Sequence, residues 1–488
     1  MNRLTRTSRR PVARLPRARP AFLLAAALLS GCVQGPDFTA PEINSPQAFR
    51  NGPEQPDAAS LADLPWWEVF NDPALQSLVR EALVNNYDIR IAIARIEQAR
   101  ALEVQTASSL YPQIGYEGAI ARGRNSVLGS PTPNNGSTSS SALLTLNAFW
   151  EIDLWGRIRR ADEAALARIL AAEESRRGIM LSLTTGVAQA YFELIELDLE
   201  IEISRRNVRA FEETRDYFTR RSDGGVGSRV QVLRAQANLA QVAATIPELR
   251  RLIAIKENQI SLLLGRDPGS IPRGRALLEQ SLPVDIPAGI PAALLQRRPD
   301  IRQAEQSMVA ANALIGAAMA DYFPRIGLTA FVGKVSPELS AFSGGTTNAW
   351  SVAGGLAGPI FTAGRTQAQV DEATARFDEA RLQYEQTVKI AFNEVANTLV
   401  TREQLADVEA QLRLQVAALS ESVTISRQRY DLGRASYFEI LDAQQQLFPA
   451  ETSLARTLVS QDIAVIQLYR VLGGGWNVAT EDWSVAAP

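Results

Sequence analysis

Between Ile158 and Ser222 the chain runs for sixty-five residues without a proline and with only two glycines, Gly178 and Gly186. Across the second half of this stretch Val187, Ala190, Leu194, Leu197, Ile201, Ser204, Val208 and Phe211 recur at alternating steps of three and four. That spacing is a heptad seam, the pattern of a helix that wraps against a neighbour. At 1.5 Å per residue such a helix is about 100 Å long, well beyond the helices of ordinary globular domains. Taken alone, the stretch describes a soluble coiled-coil rod. The sequence around it points elsewhere.

The chain repeats itself. Asp88-Ile89-Arg90 returns as Asp300-Ile301-Arg302, and Leu110-Tyr111-Pro112-Gln113-Ile114-Gly115 returns as Tyr322-Phe323-Pro324-Arg325-Ile326-Gly327, both at an offset of 212. Gly156-Arg157 returns as Gly364-Arg365, and Val232-Leu233 with Ala235-Gln236 as Ile440-Leu441 with Ala443-Gln444, both at 208. The missing four residues fall inside the second hairpin. A second stretch free of proline and glycine, 366–431, carries its own seam through Leu412, Val416, Leu419, Val423 and Tyr430. The first repeat, 85–264, reads as a helix, a hairpin at about 112–155, a long helix at about 158–222 and a returning helix at about 229–264. The second, 300–472, reads as a helix, a hairpin at about 324–361, a long helix at about 366–431 and a returning helix at about 437–472. Residues 32–84 are an arm and a short helix opened by Asp72-Pro73, 265–299 a connection and 473–488 a tail. Pro247 and Pro449 predict a kink or break in each returning helix.

After Pro112 the hydrophobic period changes to two. Ile114, Tyr116 and Ile120 fall on one side, Gln113 and Glu117 on the other. Leu144, Leu146, Ala148, Trp150 and Ile152 then alternate with Thr145, Asn147, Glu151 and Asp153. Two strands around a polar loop at 123–141 make a hairpin with one apolar face that ends in aromatics. Membrane-barrel strands read this way, as does a soluble half-buried hairpin. Beyond the first thirty-one residues no apolar run approaches the ~20 residues of a membrane helix, so a membrane crossing has to use strands. Four strands cannot close a membrane barrel, whose smallest single-chain forms have about 8, and open sheet edges cannot face lipid. Several copies of the chain would have to share one barrel, with the long helices continuing it as a tube.

Residues 1–31 carry seven arginines and no acid ahead of an apolar run from Ala21 to Leu29, the pattern of an export signal. The run ends in Leu29-Ser30-Gly31-Cys32, which resembles the lipobox of bacterial lipoproteins, whose cysteine is acylated and becomes the first mature residue. Val33 rather than an aspartate follows, which by that resemblance favours the outer membrane. Cys32 is the only cysteine and there is no histidine, which excludes His-based triads, His general bases, disulfides and cysteine–zinc sites. Without the signal arginines, 43 basic residues face 53 acidic ones, a net charge of −10 that is a poor match for nucleic acid. No phosphate-binding glycine loop precedes a Lys or Thr. Glu193, Glu196, Asp198, Glu200 and Glu202 spread around a helix and read as a solvated face. Neither an enzyme nor a cofactor is expected beyond an acyl or diacylglycerol modification at Cys32.

The mature chain resembles outer-membrane efflux proteins, the TolC-like exit ducts of tripartite pumps. It is similar in particular to the lipoprotein branch that serves resistance-nodulation-division transporters. The residues that carry this are the lipobox at Cys32, Gly35-Pro36-Asp37-Phe38, Trp66-Trp67, the two-fold repeat, Arg297-Arg298-Pro299-Asp300-Ile301, Gly358-Pro359-Ile360-Phe361 and Leu468-Tyr469-Arg470-Val471-Leu472-Gly473-Gly474-Gly475-Trp476. The resemblance implies a mainly α, internally duplicated protomer with a membrane β segment. It implies a homotrimer whose twelve-stranded outer-membrane β-barrel continues as a long periplasmic α-helical barrel. It further implies passive conduction of drugs or other small amphiphiles to the exterior of a Gram-negative cell. An inner-membrane transporter supplies the energy, and a periplasmic adaptor joins transporter and duct. A type I protein-secretion duct or a metal-efflux duct fits the same pattern. A pore-less periplasmic coiled-coil lipoprotein explains the heptads and the lipobox but not the hairpins.

By the same resemblance the turns 224–228 and 432–436 meet the adaptor, with Gly225, Val226, Gly433 and Arg434 as docking residues. Gly225 and Gly433 align at offset 208 and also suit a left-handed turn between antiparallel helices. Arg221-Ser222-Asp223 aligns with Arg429-Tyr430-Asp431, so each tip carries an Arg-x-Asp step. In a trimer six tips surround one axis, which makes Arg221, Asp223, Arg429, Tyr430 and Asp431 the expected periplasmic gate. One exposed pair contributes only ~0–1 kcal/mol, so such a gate needs several coupled pairs.

Overall fold

The computed structural model describes residues 33–52, 60–124, 138–280, 287, 289–336 and 347–475. The expected export signal, the expected acylation site Cys32, the tips of both hairpins and the tail beyond Gly475 lie outside the described residues. Helix α1 (Pro73–Asn85) starts where the Asp72 carboxylate accepts from the Ala74 and Leu75 amides, with proline at the first position, where no donor is missed. Asn86 closes it and opens α2 (Tyr87–Ala107), its side-chain oxygen accepting from the Asp88 and Ile89 amides. Strands β1 (Gln113–Arg124) and β2 (Thr138–Ile152) lead into α3 (Arg157–Asp223), a helix of 67 residues. Helices α4 (Arg229–Ala243) and α5 (Thr245–Leu263) return. The second repeat supplies α6 (Pro299–Ala320), β3 (Arg325–Ser336), β4 (Asn348–Ala357), α7 (Arg365–Asp431), again of 67 residues, and α8 (Tyr437–Val471).

The two prolines act differently. Pro247 stands at the third position of α5, where its missing N–H has no intrahelical partner to lose, and the returning helix breaks at Ala244. Pro449 sits inside α8 without interrupting it. Buried residues on both sides, Leu441, Ala443, Ala450 and Ala455, hold that helix through the lost hydrogen bond.

The chain divides into two compact units. The first takes 102–166 and 309–377 together with the N-terminal segment to Phe38, and its sheet runs β1-β2-β3-β4, antiparallel throughout. Directly opposed residues of antiparallel strands project from the same face. Tyr116, Leu146, Val332 and Trp350 form one row across all four strands, and Ile114, Ala148, Ala330 and Val352 the next. The opposite face carries the rows Glu117, Thr145, Gly333, Ala349 and Gly115, Asn147, Phe331, Ser351. The apolar face is open: Tyr116 is 83% and Trp350 76% exposed. Among the described residues β1 and β4 each keep one unpaired edge.

The second unit holds a core in which Trp66, Phe70, Leu75 and Leu78 pack with Tyr191, Phe192 and Leu194 of α3, Ile260 of α5 and Ile466, Leu468 and Tyr469 of α8. Asp72 ties it together from a buried position, accepting from the Tyr191 hydroxyl (2.9 Å), the Arg275 amide (3.1 Å) and the Gln280 side chain (2.8 Å). Burial alone would raise its pKa; these hydrogen bonds, led by Gln280, hold it below the ordinary carboxylate value.

Two expectations bear on α3. An 18-residue window of α3 does reach a mean hydropathy of 1.2, but 67% of it is buried in the fold, so it is the face of a core helix. The acidic run on α3 is also only partly a solvated face. Glu200 is buried with the Arg456 guanidinium 2.6 Å away, Glu193 pairs with Lys256 at 2.7 Å, and only Glu202 of the five stays fully exposed. Its partners lie on α5, on α8 and, for Asp198, at Arg273 in the connection after α5, too distant in sequence for helical spacing to reveal.

Candidate functional site at the helical tips

Both tips are built the same way. At the end of α3 the Gly225 amide donates to Ser222 O and the Val226 amide to Arg221 O, each at 3.0 Å. At the end of α7 the Gly433 amide donates to Tyr430 O (2.9 Å) and the Arg434 amide to Arg429 O (2.8 Å). This is the Schellman closure of a helix, in which a residue of positive φ folds the chain back over the last carbonyls. Gly225 and Gly433 have φ of 76° and 70°, and open space surrounds the position a β-carbon would take. Backbone conformation, not room, requires glycine at both.

What joins the tips is aromatic. Tyr217 and Phe218 of α3, Tyr430 of α7 and Tyr437 of α8 meet with ring centroids 4.0–6.4 Å apart. They seal a small core with Phe211, Val232, Ile440 and Leu441. Arg221 donates to the Tyr217 hydroxyl at 3.0 Å and lies over the rings of Tyr217 and Tyr430, at 5.7 and 5.8 Å from their centroids. The Tyr217 hydrogen bond raises the pKa of Arg221. Burial, with Tyr430 beside it, pushes the Tyr437 phenol up to about 12.

Of the five residues expected to form the gate, the structure brings Arg221 and Tyr430 together. Arg429 instead faces Glu439 of α8 at 3.1 Å. Asp223 and Asp431 are exposed at the last helical positions and form no ion pair among the described residues. Around the turns Val226, Leu432 and Phe438 are 71, 69 and 64% exposed, an apolar surface beside the Arg434 turn. Tyr217, Phe218 and Tyr437 escaped sequence reasoning. Their counterparts at offset 208 are Ile425, Ser426 and Arg229, so the repeat gives no sign of them. The one available signal was a Tyr-Phe pair within two turns of the end of α3.

A model of the outer membrane efflux protein family matches residues 78–266 and 290–474. The chain is 34% identical over 466 residues to the antibiotic efflux pump outer membrane protein ArpC of Pseudomonas putida, covering 94% of this chain and 96% of that protein. It is 33% identical over 456 residues to the cation efflux system protein CusC of Escherichia coli O6:H1, covering 93% and 97%. Among solved structures, the outer-membrane channel OprN matches with a TM-score of 0.84 at 32% identity, covering 91% of this chain and all of that one.

Proposed function

This chain belongs to the outer membrane efflux protein family, and on that premise we propose that three copies form the exit duct of a tripartite pump. It is an outer-membrane channel component of an efflux system. The observation that carries the trimer is the sheet: four strands, an exposed apolar face and two unpaired edges. Such a sheet enters lipid only if its edges are paired by further copies. Three copies give twelve strands around a polar-faced lumen, and the two 67-residue helices of each copy continue the wall through the periplasm. Conduction is passive, without catalysis. A periplasmic adaptor docks on the apolar tip surface around Val226, Leu432 and Arg434, and an inner-membrane transporter of the resistance-nodulation-division type supplies the energy. Acylation at Cys32 adds an anchor.

The cargo is a drug or another small amphiphile. ArpC, by its name, exports antibiotics, and CusC cations. Of the three methionines beyond residue 31, Met180 and Met308 are buried in the fold and Met319 is half-buried on α6, positions that packing explains without a soft-metal path.

In the resting trimer the Arg221–Tyr217–Tyr430 contact holds the two tips of each protomer together, leaving Asp223 and Asp431 to face the axis as a ring of six carboxylates. Recording in planar bilayers tests this. The unaltered trimer should conduct poorly and prefer cations. Asp223→Ala with Asp431→Ala should raise conductance and weaken that preference. Unchanged conductance and selectivity would place the gate elsewhere, and loss of heat-modifiable trimers from outer-membrane extracts would remove the trimer itself.

A further inference from the structure

The residues that follow Cys32 are seated in a slot between the start of α3 and the C-terminal half of α6, all within the first unit. The Gln34 amide donates to Trp155 O at 3.0 Å, and Val33 lies against Gly156, whose φ is 77°. Gly35, at φ 93°, faces Gly316 so closely that a β-carbon on either would collide with the other's strand of backbone. The Asn312 side-chain amide donates to Pro36 O at 3.0 Å. Arg160, its side chain only 8% exposed, closes the slot. Nε donates to Gln34 O (3.1 Å), Nη2 to Gly35 O (3.4 Å) and the Asp37 carboxylate (2.9 Å), and Nη1 to Glu163 (2.8 Å). Burial alone would lower the pKa of this guanidinium; hydrogen bonds to Glu163 and Asp37 raise it instead.

Two further observations say what the slot is for. It has no counterpart in the other repeat: the equivalent of Arg160 at offset 208 is Ala368, and that of Gly316 at offset 212 is Val104, which is 63% exposed. The slot is therefore no by-product of the duplication but is specific to the N-terminal segment. It also sits at the aromatic end of the apolar sheet. Trp155 stacks on Phe323 at 4.6 Å and donates to Pro324 O at 2.8 Å, between the end of β2 and the start of β3. Aromatic side chains with one wet end are the residues that mark a membrane–water boundary.

We propose that Arg160, with Gly35, Gly316 and Asn312, is a positioning site for the membrane anchor. It pins Val33 to the aromatic end of the sheet, so the acyl chains on the preceding residue enter the bilayer beside the strands of the same protomer. The inference rests on the acylation of Cys32. Holding the anchor at a fixed point removes the search that a free arm would make.

The test crosses two sets of variants. Arg160→Ala opens the slot, Gly316→Val fills it, and Arg160→Lys keeps a charge without the fork. Each is made with Cys32 intact and again with Cys32→Ala behind a non-lipoprotein export signal. Acyl labelling, protease cleavage within 33–52 and the yield of heat-modifiable trimer are read. With Cys32 intact, Arg160→Ala and Gly316→Val should leave labelling unchanged, expose the arm to protease and lower trimer yield on the order of fivefold, with partial rescue by lysine. Without the acyl group the same substitutions should change yield by less than about twofold. Equal losses in both backgrounds would make the slot a staple of the fold only, and an arm that stays protected in both variants would also overturn the proposal. Absence of labelling in the unaltered chain is a separate failure, of the acylation itself, and takes the inference with it.

Discussion

Helices α3 and α7 have the same length, the same phase in the duplication and the same glycine closure, yet they live in different surroundings. α3 buries apolar residues along its length from Ile158 to Phe218, with Leu166 and Leu170 near its start the large apolar side chains left exposed. On α7 the buried apolar residues are Tyr384, Val388, Ala391, Val395 and Leu399, while Leu382, Ile390, Val408, Leu414 and Ile425 are each at least 45% exposed. The cause lies outside the repeat. The N-terminal helices, through Trp66, Phe70 and Leu75, join the core around Tyr191 and Leu194 of α3. Duplication therefore fixes length and termini, whereas burial is decided by what else packs on each copy. In the proposed trimer the uncovered side of α7 is what remains for neighbouring chains.

That contrast predicts its own largest test. Leu194 of α3 is fully buried, so Leu194→Ala should cost about 2–5 kcal/mol in denaturant unfolding. Leu414 of α7 is 65% exposed, and Leu414→Ala should stay within about 0.5 kcal/mol for the protomer while reducing trimer yield. Equal losses at both positions would mean that α7 is as much a core helix as α3.

A second test compares the two sides of α8. Burial, then Glu200, pushes the pKa of Glu196 on α3 up to about 7, with Arg456 and Lys256 opposing. Burial, then Glu409 of α7, pushes Asp462 on α8 up to about 7. The folded chain holds protons here that the unfolded chain releases near ordinary carboxylate values. The stability these groups contribute at low pH is therefore lost as pH rises from about 4 to about 7. Glu196→Gln and Asp462→Asn should change little at pH 4 and raise stability by about 1–3 kcal/mol at pH 8. The rise should be larger for Asp462→Asn, because cations already offset part of the charge at Glu196. Urea titrations at the two pH values decide it.

Much of this molecule is legible in its sequence where the cause is local. Proline-free stretches place α3 and α7 within a residue of their ends, alternation assigns Tyr116, Leu146 and Trp150 to one face, and Asp72-Pro73 opens α1. What stays hidden joins distant segments. Arg160 meets Gln34 across 126 residues, Arg456 meets Glu200 across 256, and Tyr430 meets Tyr217 between repeats. No periodicity records such pairs, and the breaking of the 208 offset at Tyr217, Phe218 and Tyr437 hides the aromatic seal altogether. Pro449 shows the converse, a local rule overruled by packing on both sides of it.

The tips should respond alike where they are built alike. Gly225→Ala and Gly433→Ala each force a β-carbon into the left-handed region and should cost about 1 kcal/mol of local stability apiece. Amide exchange in the last turns of α3 and α7 measures this. A loss confined to one tip would show that the shared closure is not what holds them.

The smallest effect separates the tips instead. At the first, the Ser228 hydroxyl accepts from the Val230 amide (3.2 Å) and the Gln231 side chain accepts from the Ser228 amide (3.3 Å), a closed capping box at the start of α4. At the second, Ser436 makes no side-chain cap bond, and Glu439, the counterpart of Gln231, is turned to Arg429. Ser228→Ala should therefore cost ~1 kcal/mol in the first turn of α4, and Ser436→Ala almost nothing in the first turn of α8. Arg429→Gln removes an exposed pair that contributes ~0–1 kcal/mol, and it frees Glu439 to reach back to the Ser436 amide. The net change should be near zero, but the cap it creates makes the next substitution matter: in the Arg429→Gln chain, Ser436→Ala should now cost what Ser228→Ala costs. Amide exchange at the first turns of α4 and α8 reads both. If Ser436→Ala stays silent in that background, the asymmetry belongs to the turn's backbone and not to the competition of Arg429 for Glu439.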